Sequence, residues 1–157
     1  MFDKGIAPPV DLTGAVLLHV APNVRKTEQG YEPLSVGTTT SMRMDRFTEG
    51  LLSQYGVRAI IGKGGMSMKS AEAFKTYGGA YLAIVGGAAS VETLQVEEIE
   101  AVYWEDLMPE CLWKFRVKDF GPLIVAMDSS GSSIYQNVVA EARDRLGDLY
   151  RQLGVKG

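Results

Sequence analysis

The chain has 157 residues, of which 46% are apolar and 22% charged, and a net charge of −3. That is enough for one domain with a real core and ordinary for a globular protein, and the weakly acidic balance gives no footing for nucleic acid or an anionic membrane as partner. One cysteine, Cys111, and one histidine, His19, exclude an internal disulfide framework and any metal centre built on several such ligands within this chain.

A reducing, cytoplasmic setting is the expectation. "MFDKGIAPPVDL" carries an acid and prolines but no apolar segment of its own, so it does not read as a signal peptide. The longest apolar run, "AYLAIVGGAA", is far short of a bilayer span.

In chain order, "GAVLLHVA" (14–21) reads as a buried strand closed by Pro22 and Asn23. "VRKTEQGYE" reads as a polar turn and "PLSVG" as a second short strand. Met44, Phe47, Leu51 and Tyr55 then recur at helical spacing, ended by Gly56. "VRAIIG" (57–62) is a strand with "KGGM" as its loop, and Ala71, Phe74 and Tyr77 mark a helix closed by Gly78 and Gly79. "AYLAIVGG" (80–87) is a third buried strand, and "AASVETLQ" a short helix.

From there the pattern changes. In "WKFRVK" (113–118), Trp113, Phe115 and Val117 alternate with Lys114, Arg116 and Lys118, which predicts a half-exposed antiparallel strand whose basic face protects an edge. Glu97, Glu98 and Glu100 read as solvated surface. "PLIVAM" (122–127) is a buried strand and "DSSGSS" a turn. The last segment places Val138, Val139, Ala142, Leu146, Leu149 and Leu153 on one face of a helix, with Gly147 weakening its middle and Gly154 as its C-cap. That face suits either the core or an interface. The fold class is α/β with a mixed sheet.

Two stretches carry candidate chemistry. In "GTTTSMRMD" (37–45), a run of hydroxyls leads into Arg43. One reading is a capped helix start. The other is a carboxylate site, where Thr39 and Arg43, four apart, lie near each other and the guanidinium grips the anion with two parallel hydrogen bonds. Asp45 either orients Arg43 or favours the helix start by its charge. In "AIIGKGGM", Lys63 stands at a strand end among glycines that let backbone approach a ligand. Alone it reads as a solvated turn lysine. If the two preceding strands are parallel neighbours, Thr39, Arg43 and Lys63 meet at one sheet edge, where α/β folds bind ligands. His19 reads as a hydrogen-bonded core or edge histidine, and Cys111 as packing.

These segments together resemble the Fe–S hydro-lyases, the class I fumarases and two-subunit tartrate dehydratases. "GTTTSMRMD" is similar to their "GPTTxxRMD" motif, and "GKGGM" to their "KG" motif, 20 residues after Arg43. The likeness continues through "PPVDLTGAVLLHVAPNVRK", "GGAYLAIVGGAA" and "QVEEIEAVYWEDLMPECLWKFRVKDFGPLIVAMDSSGSS", on the side of the β-type subunits of either enzyme. The resemblance implies one swivelling β/β/α domain over 1–157, and a partner α subunit that carries a 4Fe–4S cluster on three cysteines, none of it bound by this chain. It implies a hetero-oligomer acting on a small C4 dicarboxylate, fumarate/L-malate or L-tartrate/oxaloacetate. By the same resemblance Thr39 is the base, Arg43 and Lys63 bind substrate carboxylates, and Thr38, Thr40 and Gly64 are substrate contacts. The chain departs from the family at Thr38, where the motif has proline. It departs again upstream of "PPVDL", where the family's "RDxxH" is not found in the seven residues before Pro8; the expectation is that the N-terminal part of the family domain is missing. Without that arginine a non-catalytic dicarboxylate-binding or scaffold module is the alternative.

Overall fold

The computed structural model describes residues 7–85, 87, 89–108 and 110–155. Four strands make the central sheet in the order β1-β4-β5-β8: β1 Val16–Leu18, β4 Ala59–Gly62, β5 Ala80–Ala83 and β8 Ile124–Met127. β1, β4 and β5 are parallel, and β8 runs antiparallel to β5. These are the short apolar runs of the sequence. Their residues Ile60, Tyr81, Ala126 and Met127 are almost wholly withdrawn from solvent, as are Leu52, Val57, Met66 and Phe74 packed with them. Each large apolar side chain buried there contributes roughly 1.5–3 kcal/mol.

Helix α1 (Thr48–Ser53) follows a 3₁₀ helix, Ser41–Phe47, so the helix expected from the Met44–Tyr55 spacing begins in the tighter form. Helix α2 (Met68–Tyr77) buries Ala71, Ala73 and Phe74 and is N-capped by Ser67, whose Oγ accepts from the Lys69 N–H. Helix α3 is Ala89–Leu94.

Two hairpins lie outside the central sheet. "VRKTEQGYE", expected as a turn, instead belongs to an antiparallel pair, β2 Asn23–Thr27 and β3 Gly30–Ser35. Val24, Tyr31 and Pro33 are half-buried between exposed charged neighbours, and Arg25 pairs with Glu32 across the ladder. The second hairpin joins β6 Val96–Tyr103 to β7 Leu112–Val117, the strand expected from strict alternation. β7 is an edge strand of this two-stranded sheet, as expected, and its basic face is itself paired. Lys114 meets Glu100 at 2.8 Å, and Arg116 meets Glu98 and, at 3.5 Å, Glu97, so the acids expected as plain surface form the other half of a cross-strand charge row. Exposed pairs of this kind contribute about 0–1 kcal/mol each.

Helix α4, Ile134–Leu153, starts at Ser133, whose hydroxyl accepts from the Gln136 N–H, and ends at Gly154 in the left-handed region, as its sequence requires. Its apolar face is not part of the core. Val138, Leu146, Leu149 and Leu153 are 43–72% exposed, and within the helix Tyr135 packs against the central cluster. Among the described residues no helix is long and apolar enough to cross a membrane.

Candidate active site

β1 and β4 end side by side, and the Thr38–Thr40 backbone runs beyond their carboxyl ends. Thr38 bridges Val20, the Thr39 N–H donates to the His19 carbonyl at 2.9 Å, and Thr40 bridges Lys63. The Ser41 N–H donates to the Lys63 carbonyl at 3.1 Å. Two segments far apart in sequence are thus stitched into one sheet edge, which brings Thr38, Thr39, Thr40 and Lys63 together through backbone.

The threonines do not act as caps. Thr40 stands at the N-cap of the 3₁₀ helix, but its side chain makes no cap hydrogen bond. Among the described residues none of the three threonine hydroxyls has a hydrogen-bond partner, and neither Arg43 nor Lys63 has an ion pair. Thr39 and Arg43 do not share an α-helical turn. Thr39 lies before the helix, and the Arg43 N–H donates to the Thr40 carbonyl at 3.1 Å, a three-residue step. Arg43 is exposed and Lys63 half-buried. Gly64 has φ +73°, a conformation glycine adopts without strain, and a Cβ there would come within 4.0 Å of Thr40 Cγ2.

Asp45 orients a different element from the one expected. Its carboxylate accepts from the Ser67 N–H at 2.8 Å, from Ser67 Oγ at 2.7 Å and from Ser70 Oγ at 2.7 Å, fastening the 3₁₀ helix to the start of α2. Burial pushes this carboxyl up, but the Ser67 and Ser70 hydrogen bonds and the nearby Lys69 charge together hold it below its ordinary value.

Beneath this edge lies a buried polar row that the sequence did not single out. His19 Nδ1 lies 3.0 Å from Ser41 Oγ, Ser41 Oγ lies 3.0 Å from the Tyr81 hydroxyl, and that hydroxyl lies 2.8 Å from the Gly64 carbonyl. Ser41 closes the quoted hydroxyl run and Tyr81 sits in an apolar strand, so neither carried a signal of its own. The core histidine expected at position 19 is what the structure shows. Burial lowers its pKa from 6.5 to about 4. The unfolded chain then takes up the proton first, so stability is full above pH 6.5 and is lost as pH falls from 6.5 to about 4. By pH 5 the loss from His19 is about 2 kcal/mol in denaturant titrations, with Glu92, whose carboxyl pKa is raised by burial, acting in the opposite sense. A flat profile between pH 6.5 and 5 would contradict the burial effect.

A cavity of about 640 Å³ lies elsewhere, between β1, the helical stretch carrying Met44, Phe47 and Leu51, and the β6–β7 hairpin at Trp113 and Phe115. It is mainly apolar, and Thr39, Arg43 and Lys63 do not line it. Volume and burial favour it as a pocket, but a small dianion needs fixed positive charge, which the Thr38–Lys63 edge has and the cavity largely lacks. Cys111 lines this cavity, is 8% exposed, and points its thiol at Met108 Sδ, 3.2 Å away, in keeping with a packing role. The residues present do not fit an iron–sulfur cluster: one cysteine cannot supply its thiolates, and the described residues contain no group of three His, Cys, Asp or Glu able to hold a metal.

Residues 1–138 match the sequence model of the family described as Fumarase C-terminus. The chain is 43% identical over 140 residues to the L(+)-tartrate dehydratase subunit beta of Escherichia coli (strain K12), a match spanning 87% of this chain and 70% of that protein. It is 39% identical over 143 residues to a Methanocaldococcus jannaschii protein named for the same subunit, across 90% of this chain and 73% of the relative. It is also 39% identical over 143 residues to a Geobacillus stearothermophilus protein named for class I fumarate hydratase, across 90% of this chain and 28% of that longer protein.

Proposed function

This chain belongs to the Fumarase C-terminus family, and from that premise we propose that it is the β-type subunit of a hydro-lyase, a swivelling β/β/α domain that adds or removes water on a C4 dicarboxylate. The observation that carries this reading is the sheet edge where Thr40 bridges Lys63: three threonines and a lysine meet there through backbone, Arg43 follows on the 3₁₀ helix that begins at Ser41, and none of these side chains has a hydrogen-bond or ion-pair partner among the described residues. Arg43 grips one carboxylate through its planar fork, and Lys63 holds the other as a point charge. Thr39 Oγ takes the proton from the carbon beside a carboxylate, and the two cations stabilise the charge that develops on that carboxylate. The neutral hydroxyl cannot take that proton; the two cations favour loss of the hydroxyl's own proton to solvent, and the resulting alkoxide is the base. Thr38, Thr40 and the Gly64 backbone complete the contacts to the substrate. The reading assigns the 4Fe–4S cluster to a partner α subunit.

The test is an anaerobic assay with fumarate, L-malate and L-tartrate, using this chain alone and then mixed with its cluster-bearing partner. Turnover is expected only in the mixture, and the preferred substrate decides between the fumarase and tartrate dehydratase forms. No turnover with an intact cluster would leave a non-catalytic dicarboxylate-binding module. In the active mixture, Lys63→Ala is expected to raise KM by about tenfold or more, the loss of one charge-assisted contact. Unchanged KM and kcat would remove Lys63 from the site.

A further inference from the structure

The buried row beneath the edge has only one consistent direction. A carbonyl oxygen accepts and never donates, so the contact at Gly64 takes the single hydrogen of the Tyr81 hydroxyl. At the next contact Tyr81 must therefore accept, which uses the single hydrogen of Ser41 Oγ. Ser41 in turn must accept from His19, so Nδ1 carries the imidazole proton and Nε2 is bare. Three hydrogens satisfy three contacts, and any other assignment leaves one of them without a donor. Tyr81 is fully buried, and burial raises its phenol to about 12 against the hydrogen bond with Ser41, so it remains protonated and able to donate.

Two members of this row belong to different walls of the site. Ser41 follows Thr40 and starts the 3₁₀ helix that carries Arg43. Gly64 follows Lys63 in the turn after β4. We infer that Ser41 and Tyr81 are positioning residues, which lock the threonine–arginine segment and the Lys63–Gly64 turn in one register through a directional chain from His19 Nδ1 to the Gly64 carbonyl. They touch no substrate. The effect on turnover rests on the site proposed above, whereas the direction of the chain does not.

The experiment has two arms. Because His19 is the only histidine, ¹⁵N-histidine labelling of this chain gives one pair of ring signals. At neutral pH the proton is expected on Nδ1; a proton on Nε2 with Nδ1 bare overturns the chain as drawn, and this needs no variant. In the second arm Tyr81→Phe keeps the buried ring and removes the oxygen. The Ser41 hydrogen then turns to His19 Nδ1, and the imidazole proton is expected to move to Nε2. In the complex with the partner subunit, kcat is expected to fall on the order of tenfold with KM within about twofold, the pattern of a misplaced rather than a missing contact. Wild-type kcat and an unmoved tautomer in Tyr81→Phe would overturn the inference. Arg43→Ala is measured beside it: if that variant keeps turnover, the site reading has failed, and the tautomer shift alone decides whether the chain stands or falls.

Discussion

Arg43→Ala is expected to abolish measurable dicarboxylate turnover in the reconstituted complex, with kcat/KM down by about 10³-fold, while the melting temperature moves by no more than about 2 °C. The two halves of that expectation come from one observation. Arg43 is exposed on a 3₁₀ helix, has no ion pair among the described residues, and is tied to the fold by its backbone N–H, donated to the Thr40 carbonyl, which alanine keeps. The fold therefore loses little. The substrate loses a planar fork whose two parallel hydrogen bonds are worth most where charge builds up on a carboxylate. Arg43→Lys should fall between the two, retaining the charge and losing the fork. Near-normal kcat/KM in Arg43→Ala would sink the site assignment, and a large fall in melting temperature would show that Arg43 serves the fold.

The central sheet was legible because each strand is a short apolar run bounded by glycine or proline, although the outer strands β1 and β8 leave Val16, Ile124 and Val125 exposed. β7 was legible for the opposite reason, its strict alternation of Trp113, Phe115 and Val117 with basic residues. Its partner β6 was hidden, since Glu97, Glu98 and Glu100 look like a solvated run until Lys114 and Arg116 are known to lie across from them. The β2–β3 hairpin was hidden likewise: its few apolar residues are only half-buried, and its regularity comes from the partner strand rather than from local composition. In α4 the periodicity gave the apolar face and Gly154 marked the C-cap correctly, but neither could say what the face meets, because spacing carries no information about a neighbour. At the site, hydroxyls before a guanidinium and a lysine among glycines were visible as residue types. The roles of Thr39, Arg43 and Lys63 came from the family resemblance, not from pattern. Ser41 and Tyr81 were invisible, one reading as the end of a hydroxyl run and the other as core. Only the bridge of Thr40 to Lys63 and the parallel pairing of β4 with β5 bring them within hydrogen-bond distance.

Gly62→Ala is expected to destabilise the chain by about 3 kcal/mol, lowering the melting temperature by roughly 6–12 °C. The sequence suggests that the glycines flanking Lys63 admit a ligand. At position 62 the glycine admits Ser41 instead: a Cβ built there would lie 1.9 Å from Ser41 Oγ, 3.3 Å from Ser41 Cβ and 3.3 Å from the Tyr81 hydroxyl. The backbone of Gly62 is not in the left-handed region, so alanine fits its conformation and the whole cost is steric. Room can be made only by swinging the Ser41 hydroxyl away, which separates it from His19 and Tyr81 together and strands buried polar groups. If that is the cause, removing the colliding oxygen should help. Ser41→Ala alone should destabilise, yet Gly62→Ala combined with Ser41→Ala should be more stable than the sum of the two losses by at least about 1 kcal/mol, measured as the coupling energy of a double-mutant cycle by urea denaturation. Simple additivity would mean that Ser41 finds another rotamer at no cost, and that the close approach at Gly62 constrains neither the fold nor the row beneath the site.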